Sequence, residues 1–361
     1  MAGNDVSSAP AVLVKDGRGR PLSGVPVRFR VMQGGGVVQH ADAITDTQGG
    51  ASAGQWTLGP LPGPNEVEAR VGQLPGVRFT AIGLAQALPP PPPPVPTSGD
   101  YHIAVRYLVT ASLRQQEAVV KAIGRWQTVI RRDLADIPVN AAAAACFPAQ
   151  PALGEVVDDL LVLIEFVNID GAGRTLGEAG PCYVRADNTL PIVGHLKLDV
   201  ADLQQMEATG TLDDVVLHEI GHVLGIGTIW TDRNLVVNAG GADPGYSGAN
   251  AVGAYHSLGG TSGNVPVENT GGTGTRDAHW REAVFRDELM TGWIGSAANP
   301  LSVLTIESLN DLGYGASPGA ASGYVLGSAA GLSATKVDLH GREQVKRPRW
   351  RVDRRGRRLS D

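Results

Sequence analysis

Cysteine, methionine and phenylalanine are scarce in this chain, with two, four and five among 361 residues. The two cysteines, Cys146 and Cys182, form no C-x-x-C pair, which excludes a thioredoxin-like redox motif. No apolar run approaches the roughly 18 residues of a membrane span, although 42% of the residues are hydrophobic. The start, Met1-Ala2-Gly3-Asn4-Asp5, lacks a basic segment followed by an apolar stretch, so no secretory signal is read there. At 361 residues the chain is long enough for two domains.

Against these absences stands the run His218-Glu219-Ile220-Gly221-His222. Helical positions four apart lie on one face, so His218 and His222 can hold one zinc ion while Glu219 beside them handles a proton. By chance the pattern arises in roughly 2% of chains of this composition, which context lowers further. Thr211 reads as an N-cap, Asp213 and Asp214 complement the helix dipole in the first turn, and the rest of the helix is apolar. A carboxylate among core residues is expensive unless it has a function. Gly221, costly in mid-helix, predicts a close approach by another backbone. Gly225 is placed to end the helix in the left-handed conformation. A catalytic zinc needs a third protein ligand, and His279, His256 and His195 are the candidates.

The segment His218 to Trp230 resembles the active-site helix of metzincin peptidases, except that Thr228 stands where most of them carry a third histidine. Downstream come Asp277-Ala278-His279-Trp280-Arg281-Glu282 and Asp287-Glu288-Leu289-Met290-Thr291-Gly292. That order is similar to the leishmanolysin branch, over roughly residues 100–315. The resemblance implies one Zn2+ per chain on His218, His222 and His279, with Met290 packed beneath the metal. It implies an α+β peptidase domain that hydrolyses peptide bonds, with Glu219 as general base and then acid. His256 and His195 lack this context. The resemblance also points to a Cys146–Cys182 disulfide and to an extracellular or cell-surface protein. The alternatives for the cysteines are two buried thiols or a redox pair. Calcium sites are not readable. No N-terminal segment offers a cysteine that would block the metal.

The organisation read along the chain is a flexible start (1–9), a β-rich module (10–85), a proline-rich linker (86–99), the catalytic domain (100–320) and a C-terminal extension (321–361). In the module, Val25, Val27, Phe29 and Val31 alternate with Pro26, Arg28 and Arg30, the period of a strand with one buried face. Gly24 to Phe29 with Thr45 to Ala51 resembles bacterial Ig-like repeats, which implies an all-β sandwich serving as spacer or as binder of a surface or matrix ligand. Pro89 to Pro94 predict an extended polyproline rod. Past it, a strand over His102–Leu108 and a helix capped by Ser112 are expected, the helix burying Val119, Ile123, Trp126, Ile130 and Leu134. Strands follow at Leu160–Val167 and around Leu196–Leu198. Residues 239–275 read as long loops over the cleft, and Leu301–Leu312 as a closing helix.

Residues 342–361 hold nine Lys/Arg against three acids, leaving −12 on the other 341 residues of a chain whose net charge is −6. A disordered solvated tail is expected there. It has no alternating aromatic pattern for base stacking, so nucleic acid is not an expected partner. Protein or peptide substrates are. Two other readings compete with the endopeptidase: an adhesin on a peptidase-fold scaffold, and a zinc amidase acting on cell-wall peptide.

Overall fold

In the computed structural model of the protein, residues 5–6, 8–59, 63–83, 99–261, 263–272, 274–295, 299–327, 336–339 and 342–359 are described. The chain divides into two compact units, Met1–Pro89 and Pro90–Asp361. The proline run 89–94 lies outside the described residues.

In the first unit the alternation read at Val25–Val31 becomes the strand Pro26–Gln33, with Val27 and Phe29 buried and Pro26, Arg28 and Arg30 exposed. It is the second strand of an antiparallel sheet ordered Asp42–Ile44, Pro26–Gln33, Gly63–Arg70, Val77–Gly83. Short strand pairs complete the unit around a core of Val27, Phe29, Trp56, Val67 and Ala69.

The second unit is a mixed α/β structure. Its central strands Ile103–Tyr107, Leu160–Val167 and Pro191–Asp199 run parallel. Leu160–Val167 is buried along nearly its whole length, as a strand covered on both faces should be. Gly177–Arg185 joins antiparallel beside Pro191–Asp199 and forms the rim of these four strands. The helix Leu113–Val129 starts in a capping box, where Ser112 Oγ accepts from Gln115 N and Gln115 Oε1 accepts from Ser112 N. Ala118, Val119, Ala122, Ile123 and Trp126 form its buried face. The helix stops at Val129, short of the expected face. Ile130 is already extended and bridges to Ala316, so Ile130 and Leu134 are buried beyond the helix rather than on it.

The segment expected as loops, 239–275, holds the helix Ala249–Ser257 and the short strands Gly245–Tyr246 and Val265–Pro266. Its apolar residues explain the difference: Tyr246, Ala251 and Val265 are fully buried in the main core, and the helix packs on Val303–Leu312. The closing helix is present at Val303–Leu312, capped by Ser302.

The C-terminal tail is where expectation and structure part. Residues expected to be disordered form strands Glu343–Val345 and Trp350–Val352, both parallel to the rim strand Gly177–Arg185, and Arg358–Leu359, antiparallel to Trp350–Val352. Several of the like charges find partners. Lys346 pairs with Glu178, Arg347 with Asp232 and Arg354 with Asp187, while the Arg358 guanidinium lies 4.5 Å from the Trp350 ring centroid. Such exposed pairs are individually weak. The sheet edge supplies the backbone partners that hold the segment.

Candidate metal centre

The helix Leu212–Val223 presents His218 and His222 one turn apart, both fully buried. Thr211 occupies the N-cap position, but its hydroxyl bonds Thr209 Oγ1 instead of capping the helix. Gly221 meets side chains where a backbone was expected. A Cβ there would stand 2.9 Å from Met290 Sδ and 3.2 Å from Trp126 Cζ2. Met290 therefore packs directly beneath the helix turn that carries both histidines. The helix ends at Val223, and Gly225 follows with φ 108°, in the left-handed region. At Gly227 a Cβ would collide with the carbonyl of Ala278, so glycine there admits the chain that delivers His279.

His279 is brought in from the far segment and held by its neighbour. Trp280 is buried among Trp230, Tyr246 and Phe285, and its indole N–H donates to Thr305 Oγ1 at 2.8 Å. The three Nε2 atoms converge: His218 to His222 is 3.0 Å, and His279 lies 3.1 Å from each. Each Nδ1–H donates to a backbone carbonyl, His218 to Leu289 at 2.7 Å, His222 to Ile226 at 2.8 Å and His279 to Thr275 at 3.0 Å. With Nδ1 carrying the proton, each neutral ring turns a lone pair toward the other two. Three acceptors cannot satisfy one another, and a cation at their focus would. Tetrahedral zinc bonds of about 2.0–2.1 Å put nitrogens roughly 3.3 Å apart, close to what is seen. The donor set fits zinc.

His195 and His256 are elsewhere. His195 Nε2 is 2.8 Å from Glu165 Oε2, and its ring stacks on Phe147. His256 is exposed and bonds the Gly263 carbonyl. Thr228 donates to the His222 carbonyl at 2.8 Å and brings no ligand.

Glu219 is fully buried, no N–H donor bonds its carboxylate oxygens, and its polar neighbour is the carboxyl of Glu343. Burial first, then the nearby charge of Glu343, pushes its pKa well above the carboxylate range. Glu343 joins the site from outside every motif read in the sequence. Its carboxylate lies 2.8 Å from His222 Nε2, 3.1 Å from His279 Nε2 and 3.5 Å from His218 Nε2. The four side chains form one group able to hold a metal ion. The only sequence signal for Glu343 is a lone acid at the head of a basic run, and no spacing rule selects it.

Cys146 and Cys182 are joined in a disulfide with Cα atoms 6.0 Å apart, tying the loop at 146 to the rim strand. Among the described residues no helix is long and apolar enough to cross a membrane.

No curated protein matches the chain. Among solved structures, the D00-D0 domain of intimin is similar at 23% identity over 21% of this chain and 37% of that one, with a TM-score of 0.19. The D0-D1 domain of intimin is similar at 25% identity over 24% of this chain and 44% of that one, with a TM-score of 0.21. The chain thus spans less than half of either. The family model for leishmanolysin matches residues 148–331, more than half of the chain, and takes in His218, Glu219, His222, His279 and Met290. This chain belongs to the leishmanolysin family of metallopeptidases.

Proposed function

We propose that the protein is a zinc endopeptidase in which His218, His222 and His279 hold the metal and Glu219 is the general base. The observation that carries this reading is the convergence of three Nε2 lone pairs beside a buried carboxylate that accepts no N–H bond from the fold. When bound, zinc supplies Lewis acidity toward a water and a peptide carbonyl at neutral pH. Glu219 orients the attacking water, accepts its proton and passes it to the departing amine. The Leu289, Ile226 and Thr275 carbonyls keep the imidazoles in one tautomer and one orientation. Met290 fills the space under Gly221 and keeps the ligand-bearing turn from shifting.

The substrates are proteins or peptides. The N-terminal unit, with its antiparallel sheet and buried Val27, Phe29 and Val67, is read as an Ig-like module that spaces or docks the peptidase. The disulfide favours an oxidising, extracellular setting.

The test is metal content and casein cleavage for the full chain and for His279→Ala. One zinc per chain, with zinc and cleavage both lost in the variant, is the expected result. Cleavage that survives in His279→Ala would remove the distant histidine from the ligand set.

A further inference from the structure

Among the described residues, the side chains of the metal centre are closed off from solvent. His218, Glu219, His222 and His279 are each 0% exposed and Glu343 is 2% exposed, so a peptide cannot reach the base or the ligands in this conformation. What closes the site is the C-terminal segment. Strand Glu343–Val345 lies parallel on the rim strand, with Gly177 opposite Glu343 and Ala179 opposite Val345. Leu176 N donates to the Arg342 carbonyl at 2.7 Å, and Lys346 N donates to the Ala179 carbonyl at 2.7 Å. On its other side a Cβ at Gly274 would collide with the Glu343 carbonyl, so the strand fills the space between the rim and the segment leading to His279. A Cβ at Gly177 would come within 3.2 Å of Glu219 Oε1, which puts this stretch of rim beside the base. An extended chain added to a sheet edge is a general mode of peptide recognition. Here the chain's own tail takes that edge and sends a carboxylate into the histidine cluster.

We propose that the segment from Arg342 to Val352 is an inhibitory strap, with Glu343 taking the fourth position of the metal and its strand covering the edge where a substrate would lie. This rests on the zinc-peptidase reading above. Three features separate the strap from the catalytic frame. Glu343 lies beyond the residues that match the family, 148–331. Its strand is three residues long and pairs with a single strand, the rim strand, while Arg342 anchors its start on Asp202 and the Arg174 carbonyl. Finally, catalytic zinc sites keep the fourth position for water, and a carboxylate there makes the set a closed one. A competitor tethered in the same chain acts at an effective concentration in the millimolar range, so it outcompetes dilute peptide without tight intrinsic binding.

The experiment compares the full chain with Glu343→Gln and with Lys346→Pro, all loaded with Co2+ in place of zinc. Lys346→Pro removes the N–H bonded to Ala179 and unseats the strand without touching the carboxylate. The readouts are the visible cobalt spectrum, its change on titration with acetohydroxamate, and casein cleavage by the zinc forms. The strap requires that wild type bind cobalt but resist acetohydroxamate. Both variants should bind acetohydroxamate and cleave casein better by roughly tenfold or more. Equal response of all three proteins to acetohydroxamate, with unchanged cleavage, would overturn the strap while leaving the metal site standing. Loss of cobalt from Glu343→Gln would make Glu343 a necessary ligand and overturn its inhibitory role. A wild type that binds no cobalt would overturn the metal site and the strap together.

Discussion

Glu219 and Glu288 are both fully buried carboxylates, and their surroundings differ in one respect that separates chemistry from architecture. Glu288 accepts from Met290 N at 2.6 Å, Ser302 Oγ at 2.7 Å, Ser302 N at 3.2 Å and Thr305 Oγ1 at 2.5 Å. It organises the turn whose Leu289 carbonyl orients His218 and whose Met290 fills the space under Gly221. Glu219 accepts no N–H bond. A buried carboxylate with four donors offsets its desolvation within the fold, whereas one with none costs stability, which accords with the catalytic role proposed for Glu219. Asp159 stands between them, with two donors, the backbone N–H groups of His102 and Leu134.

The comparison is broken most severely at Glu219. Glu219→Gln is expected to lower casein turnover by about 10²–10⁴-fold, keep its zinc and leave thermal stability unchanged or higher. A variant that unfolds instead would place Glu219 among the structural carboxylates. At Glu288 the order is reversed. Glu288→Ala is expected to cost about 3–5 kcal/mol in urea unfolding, because it leaves the buried donors of Met290, Ser302 and Thr305 unpaired, and to weaken zinc binding about 10–100-fold through His218. Retention of wild-type stability and affinity would show the turn to be held by other contacts. Met290→Ala should cost about 2–5 kcal/mol by opening a cavity under the ligands, while Met290→Leu should cost less than about 1.5 kcal/mol. Equal effects of the two would contradict packing as the role of Met290.

The effect at Asp159 is modest and is read through pH. Burial, against two backbone hydrogen bonds, raises its pKa from 3.8 to about 6. The folded protein then binds this proton more tightly than the unfolded chain does. The contribution is present below about pH 4, is lost as pH rises through about 6, and amounts to about 1–3 kcal/mol. Urea midpoints for wild type and Asp159→Asn should therefore converge or cross over that window. Parallel pH profiles would mean that Asp159 titrates normally.

Much of the centre is legible in the sequence because its signals are local or ordered. The four-residue spacing of His218 and His222, the glycine that ends the helix and the His-Trp and Glu-Leu-Met runs are readable in one dimension. Long-range pairing is not. Residues 342–359 look like a disordered basic run, since composition cannot reveal that a rim strand far upstream has a free edge to offer. The helix at Ala249–Ser257 is hidden by surrounding glycines, and Gly221 signals a close approach without saying that Met290 and Trp126 make it. Glu343 combines both obstacles: a single residue, placed by strand pairing alone.

The central claim is a metal held by three distant imidazoles, and X-ray absorption at the zinc edge of the full chain tests it most directly. Three imidazole nitrogens and one carboxylate oxygen at about 2.0 Å are the expected set, with the carboxylate lost in Glu343→Gln. A spectrum with two imidazoles, or with sulfur in the shell, would contradict it.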